Sequence, residues 1–285
     1  MNISIRAARP EDAELCGPIC FDAFNAISSA HNFPPDFPSR DVALGMFTAL
    51  LSHPRVYAVV AEVDGKVVGS NMLWESGALS GVGPITVDPT VQNSSVGRQL
   101  MQAVLDRAKS RNHVGVRLVQ AAYHNRSLAL YTKLGFAVRE PLSNIQGTPL
   151  RMEIAGYSVR PATGQDIEAC DRVCLDIHGH HRREELSDAI QHGTATVVEH
   201  NGRISGYATL VGFFGHAVGY SNDDLKALIA AAPEFPGPGF LLPTRNTEVL
   251  RWCIDHGLKI VQPFSLMTMG LYNEPQGAFL SSILY

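Results

Sequence analysis

Residues 83–108 decide how this chain is read: GPITVDP (83–89), TVQNSSVG (90–97) and RQLMQAVLDRA (98–108). Ile85, Thr86 and Val87 are β-branched and are stopped by Asp88-Pro89, which predicts a buried strand. Val96, Leu100, Ala103, Val104 and Ala108 recur at helical spacing, which predicts an amphipathic helix. The turn between them is small and polar, so backbone N–H groups at the helix start are available to an anion. No carboxylate follows Asp88 in this turn, and Arg98 stands in the first helical turn. The stretch reads as strand, pyrophosphate-receptive turn and helix.

Outward from that stretch, Val56 to Glu62 and Lys66 to Trp74 predict a hairpin about Asp64-Gly65. Upstream lie a short strand at Ser4-Ile5-Arg6, a helix opened by Pro10-Glu11-Asp12, and a second helix over about Asp41 to Leu51. The proline- and aromatic-rich segment Ala26 to Arg40 predicts an irregular connection. Downstream come a strand near Val116–Ala122 and a helix from about Arg126 that ends at the C-cap glycine Gly135.

The chain then begins again. Arg6, Asp12, Cys16 and Cys20 match Arg160, Asp166, Cys170 and Cys174 at a constant offset of 154 residues (160 − 6 = 154). Glu62-Val-Asp-Gly-Lys-Val-Val-Gly69 is echoed by Glu199-His-Asn-Gly-Arg-Ile-Ser-Gly206, and Gly135-Phe136 by Gly257-Leu258. Echoes in one order at so long a period imply two copies of one fold. A chain of 285 residues has room for two domains of ordinary size, and the join falls near Ala155-Gly156. The net charge of −4, with no Lys/Arg block, argues against a nucleic-acid partner. No apolar run reaches bilayer length and the N-terminus lacks a signal-type apolar core, so no membrane partner is expected. Five cysteines make no disulfide framework, and a cytoplasmic setting is expected.

With the turn and the run Leu130-Tyr131-Thr132-Lys133-Leu134-Gly135-Phe136, the first copy resembles the GNAT superfamily of acyl-CoA-dependent N-acetyltransferases, and the whole chain resembles a tandem pair. The family's turn pattern, Gln/Arg-x-x-Gly-x-Gly/Ala, stands here as Gln92-Asn93-Ser94-Ser95-Val96-Gly97, with Ser95 in place of the first glycine. The fold expected is α/β (α+β): two tandem domains, residues 1–155 and 156–285, each a mixed, mostly antiparallel sheet flanked by helices. The resemblance implies a cytoplasmic acyltransferase that moves an acetyl group from acetyl-CoA to a primary amine of a small molecule by direct attack. Two alternatives stay open, a non-catalytic acyl-CoA-binding sensor and acetylation of a peptide or protein N-terminus. A monomer or homodimer is expected, and no metal.

Residue by residue, the resemblance implies that Ile85 and Val87 pair with the pantetheine arm. Gln92, Asn93, Ser94, Ser95, Val96, Gly97 and Arg98 then hold the pyrophosphate. Tyr131 matches the family's general acid, which protonates the departing thiolate. The family's asparagine position falls on His124, with Asn125 one place later. Asn125 is kept with the cofactor set, and His124 becomes a candidate acceptor-side group beside His31 and Phe33 of the first inter-helix loop. An ammonium must lose a proton before attack, and Glu75 at the end of the hairpin strand is the candidate base, set against a merely solvated carboxylate.

The second copy differs where it matters. Ser221 or Asn222 caps the matching helix, and Asp223 and Asp224 in its first turn suit the helix dipole and oppose a pyrophosphate. The tyrosine position is Cys253 and the asparagine position Asn246. This copy is expected to be non-catalytic and to shape the acceptor cleft. His178, His180 and His181 read as a polar loop rather than a metal site, and the paired cysteines as small buried helix residues.

Overall fold

The computed structural model describes residues 2–92 and 95–284. The first half opens with β1 (Ile3–Ala7), a 3-10 turn at Pro10–Asp12, and helices α1 (Ala13–Ala30) and α2 (Arg40–Ser52). The hairpin of β2 (Val56–Val63) and β3 (Lys66–Ser76) turns on Asp64 and Gly65, both at positive φ. Next come β4 (Leu79–Val82), β5 (Thr86–Val87), α3 (Val96–Ser110), β6 (Gly115–Ala121), α4 (Asn125–Lys133) and β7 (Ala137–Gln146). The second half repeats this plan with β8 (Tyr157–Pro161), α5 (Ile167–His178), α6 (Arg183–Gln191), β9 (Thr196–His200) and β10 (Arg203–Ala208). It continues with β11 (Ala217–Gly219), α7 (Asn222–Ala231), β12 (Phe240–Pro243), α8 (Thr247–Asp255) and β13 (Lys259–Gly270). A further strand, β14 (Ala278–Leu280), is added at the end.

Two local differences from the sequence reading have physical causes. Helix α1 runs on to Ala30 instead of giving way at Ala26. Ser28, fully buried, turns its hydroxyl onto the helix's own carbonyls at Phe24 (3.1 Å) and Asn25 (3.3 Å), so the serine is satisfied without leaving the helix. Strand β4, which the sequence did not announce, is buried at all four positions and so carries no alternation to read.

The duplication recurs in the ion pairs. Arg6 donates through Nε to Glu62 (2.7 Å) and through its terminal nitrogens to Asp12 (2.8 and 2.9 Å). Arg160 does the same to Glu199 (2.9 Å) and Asp166 (2.8 Å to each oxygen). In both copies the guanidinium ties the first strand to the second and to the start of the first helix. It also holds the aspartate below the usual carboxylate range.

The strands do not stay within their halves. The larger sheet runs β1-β2-β3-β4-β6-β13-β7-β12, with β5 on β3, and only its β4·β6 contact is parallel among the described strands. The smaller runs β14-β11-β10-β9-β8 and is antiparallel. Towards the β12 edge of the larger sheet β7 faces β13, with Leu142 opposite Phe264, Pro141 opposite Ser265 and Ser143 opposite Pro263. Pro141-Leu142-Ser143 and Pro263-Phe264-Ser265 are equivalents at the offset set by Gly135 and Gly257 (257 − 135 = 122). A local two-fold axis therefore passes between Leu142 and Phe264. The flanks obey it too, with Ala121 opposite Phe264 and Pro243 opposite Leu142. Each half has exchanged its closing strand with the other.

Leu142, Leu241, Phe264, Leu266 and Phe213 form a buried cluster drawn from both halves at this axis. Replacing Leu142, which is 1% exposed, by alanine is expected to cost about 2–5 kcal/mol. Val138→Ala on the same strand, where the side chain is 49% exposed, should stay within about 0.5 kcal/mol. Urea unfolding midpoints of the two variants check this.

Candidate active site

β4 and β6 run side by side only from Leu79/Gly115 to Gly81/Arg117. Past that point the first chain turns at Gly83-Pro84 back onto β3 as β5, while β6 continues to Ala121. The gap between them opens into a cavity of about 610 Å³. Ile85 and Val87 line one side and residues 118–121 the other. The outer edge of β5 thus faces the cavity rather than another strand.

At the mouth of the gap Asp88 accepts from the Thr90 N–H (2.8 Å) and folds the chain into a 3-10 turn. Gln92 donates to the Val87 carbonyl at 3.2 Å and accepts from Arg126 of α4, which fixes the turn between strand and helix. Ser95, the N-cap of α3, has φ +66°. That left-handed conformation is one glycine holds without strain, and it explains why a glycine is usual at this place in the pattern. Val96, Gly97 and Arg98 follow along the cavity wall, and the first turn of α3 contains no acidic residue. Among the described lining residues the cations are Arg98, Arg126 and Lys133. Asn93 and Ser94 lie outside the described residues.

Tyr131 lines the cavity from α4, 6% exposed, with its ring edge-on to Phe136 at 6.2 Å. Burial raises its phenol well above the usual value, so the hydroxyl stays protonated at neutral pH. His124, the N-cap of α4, also lines the cavity, and its Nε2 is buried without a protein partner. Burial, helped by Arg126 and His31, pushes this imidazole down to about 4, so it is neutral at pH 7.

Other expected residues stand elsewhere. Glu75 is not on the cavity wall: it accepts two hydrogen bonds from Arg107 of α3, at 2.8 and 2.9 Å, with Arg111 and His113 beyond. Asn125 is an exposed first residue of α4, away from the lining. His31 and Phe33 do not line the cavity themselves. They pack on Tyr123, which does, at 5.3 Å and in a 4.2 Å stack respectively.

The cavity holds groups that the sequence reading passed over. Asp36, from the loop between α1 and α2, is the one carboxylate among its described lining residues. Gln262 of β13 donates to it at 3.1 Å and accepts from the Tyr123 hydroxyl at 3.3 Å. Phe213, Phe214, Phe264, Ile283 and Leu284 bring the second half into the wall. An aspartate, the one carboxylate of its loop, set between Pro35 and Phe37 was the available signal for the first.

The equivalent slot of the second half has a different content. Gly206 faces Gly219 across β10·β11 as Gly69 faces Val87 across β3·β5. A Cβ on either glycine would sit 2.6 Å from a carbonyl oxygen of the facing strand, Thr86 or Val218. Strand β11 is therefore the counterpart of β5, and Ala217 and Gly219 the counterparts of Ile85 and Val87. Their outer edge is paired with β14, Ala217 with Leu280 and Gly219 with Ala278, and Leu241 of β12 bridges Ser281. The chain's own strand lies where the first half has an open gap. Helix α7 is closed by a capping box of Ser221 and Asp224, and Cys253 is fully buried.

Against known proteins, a sequence model of the Acetyltransferase (GNAT) family matches residues 23–136. The chain is 30% identical over 104 residues to an IAA acetyltransferase of Azospirillum brasilense, covering 36% of this chain and 68% of that protein. The chain belongs to the GNAT acetyltransferase family. Its fold extends the likeness to nearly the full length. An acetyltransferase candidate from Pyrococcus horikoshii aligns over 99% of this chain and 92% of its own, with TM-score 0.73 at 17% identity. A tandem GNAT protein from the clavulanic acid biosynthesis pathway aligns over 94% and 98%, with TM-score 0.56 at 13% identity. The tandem GNAT architecture thus accounts for the repeat.

Among the described residues no cluster of three or more His, Cys, Asp or Glu is placed to hold a metal, and no helix is long and apolar enough to cross a membrane. His178 and His180 are buried, and burial depresses both imidazoles, His180 to about 3. All five cysteines are free and buried.

His124 binds a proton more readily unfolded than folded, so it removes stability as pH falls from about 6.5 to about 4. His124→Gln should lose less stability than the parent across that window. Denaturant titrations at pH 7, 5.5 and 4.5 measure the difference.

Proposed function

We propose that this GNAT protein is an N-acetyltransferase that uses the open gap of the first half for acetyl-CoA and acetylates a primary amine of a small molecule. The reading rests above all on the contrast between two equivalent slots. One is open, has Tyr131 on its wall and ends at a turn free of acids; the other is filled by β14 and carries Cys253.

The free edge of β5 at Ile85 and Val87 offers backbone groups to an extended amide-bearing arm. The N-terminal amides of α3, with Arg98 and Arg126 nearby, suit a pyrophosphate. Acetyl-CoA supplies the acyl group as a thioester, so the amine nitrogen gains a C–N bond as the C–S bond breaks and the thiolate departs. Tyr131 holds its proton in the ground state, and its O–H donates to the sulfur as charge gathers there. Both anions of that step are desolvated in the same cavity, which keeps the phenol matched to the thiolate. Neutral His124, with a ring nitrogen unpaired at the wall, is a polar group for the thioester or the acceptor. The walls supplied by Phe213, Phe214, Ile283 and Leu284 narrow the cavity on the second half's side and favour a small molecule over a polypeptide terminus. Five buried, unbridged cysteines support a reducing, cytoplasmic setting.

Tyr131→Phe is expected to lower kcat for CoA release by about 10²–10⁴-fold, with acetyl-CoA affinity kept. Calorimetry should give one acetyl-CoA per chain. A parent protein that binds acetyl-CoA but releases no thiol with any primary amine would overturn the transferase reading in favour of a sensor.

A further inference from the structure

We infer that the acceptor is an apolar primary amine, held as its ammonium by Asp36 between aromatic walls from both halves, and that Asp36 removes the proton that blocks attack. This rests on the transferase reading above. An ammonium entering an apolar cavity loses its hydration and requires a counter-charge at contact distance. Asp36 is the one carboxylate among the described lining residues, so the acceptor's charged end has a single place to go.

The cavity that Asp36 lines is walled in large part by aromatic rings. Phe24 and Phe37 meet edge-to-face at 5.8 Å on the first half's side, and Phe213 and Phe264 at 5.7 Å on the second's. Tyr123 completes the wall. A second ammonium on the acceptor's far end would be desolvated with no second carboxylate among the described lining residues to receive it. Diamines are thereby disfavoured against an amine with an apolar body.

The same setting makes Asp36 a base. Burial raises its carboxyl above the ordinary range, opposed by the hydrogen bond from Gln262. Tyr123 and Cys20, the titratable groups coupled to it, are both kept neutral by burial. An N–H bond of the ammonium breaks, its electron pair stays on nitrogen as the attacking lone pair, and the proton forms an O–H bond on Asp36. The second proton, shed by the nitrogen as the amide forms, replaces the one Tyr131 gave to the sulfur, and after product release the proton on Asp36 passes to solvent. Gln262, 2% exposed on β13, is a positioning residue: through it the second half sets the direction and basicity of a carboxylate in the first.

The test uses the full chain with 2-phenylethylamine as the apolar probe and putrescine as the polar one. The parent should favour 2-phenylethylamine in kcat/KM by at least about tenfold. Asp36→Asn should lower kcat/KM for it by about 100-fold or more, while acetyl-CoA affinity, which also reports folding, stays within about twofold. kcat/KM of the parent falls as Asp36 takes up a proton, and Gln262→Leu should move that acid limb to higher pH, because it removes a donor to the ionised form. An Asp36→Asn variant within about threefold of the parent, or a parent that prefers putrescine, overturns the inference. An acid limb unmoved in Gln262→Leu overturns the part given to Gln262. A parent inactive with both amines and with every other primary amine overturns the transferase reading and this inference together.

Discussion

The antiparallel pairing of β7 with β13 is the contact on which the rest of the molecule depends. Because side chains alternate faces with a period of two, a slip of one residue would send Leu142 and Phe264 to the opposite side of the sheet. The pairing holds each closing strand between two strands of the other copy, with Leu142 and Phe264 both buried at the axis. Neither half has its closing strand without the other. The same exchange carries Phe264 and Gln262 to the cavity of the first half. The architecture and the second half's share of the cavity wall have one physical cause.

Local information in the sequence was enough for most elements of the first half and for the repeat. Helix α3 announced itself through apolar spacing, the β2–β3 hairpin through Asp64-Gly65, and the duplication through Arg6/Arg160 and its partners. Strand exchange was not legible. Pairing β13 with β6 instead of β12 joins residues about 150 positions apart, and no single-strand pattern records which of two equivalent edges is chosen. The four-residue β4 lacked alternation, and the end of α1 was hidden by a serine that bonds back to its own helix.

The cavity wall divides along the same line. One part comes from one continuous stretch and its following helix, so that Ile85, Val87, Gln92, Gly97, Arg98 and Tyr131 could be singled out by reading along the chain. The other part is assembled from a loop near residue 36, strand β13 and the last residues described, which no spacing rule connects. Glu75 shows the converse hazard. A carboxylate at a strand end looked free, but Arg107 reaches it from the last turn of a helix 32 residues downstream. What the sequence does not contain is the neighbour.

Strand β14 has a consequence for the history of the duplicated fold. A segment covalently joined to its own groove competes as a tethered ligand, at an effective concentration in the millimolar range. Once such a tail occupies the slot, mutations that ruin that slot for outside ligands carry no penalty. The residues just beyond the strand that fills this slot, Ile283 and Leu284, reach the wall of the first half's cavity, so one tail closes one groove and borders the other.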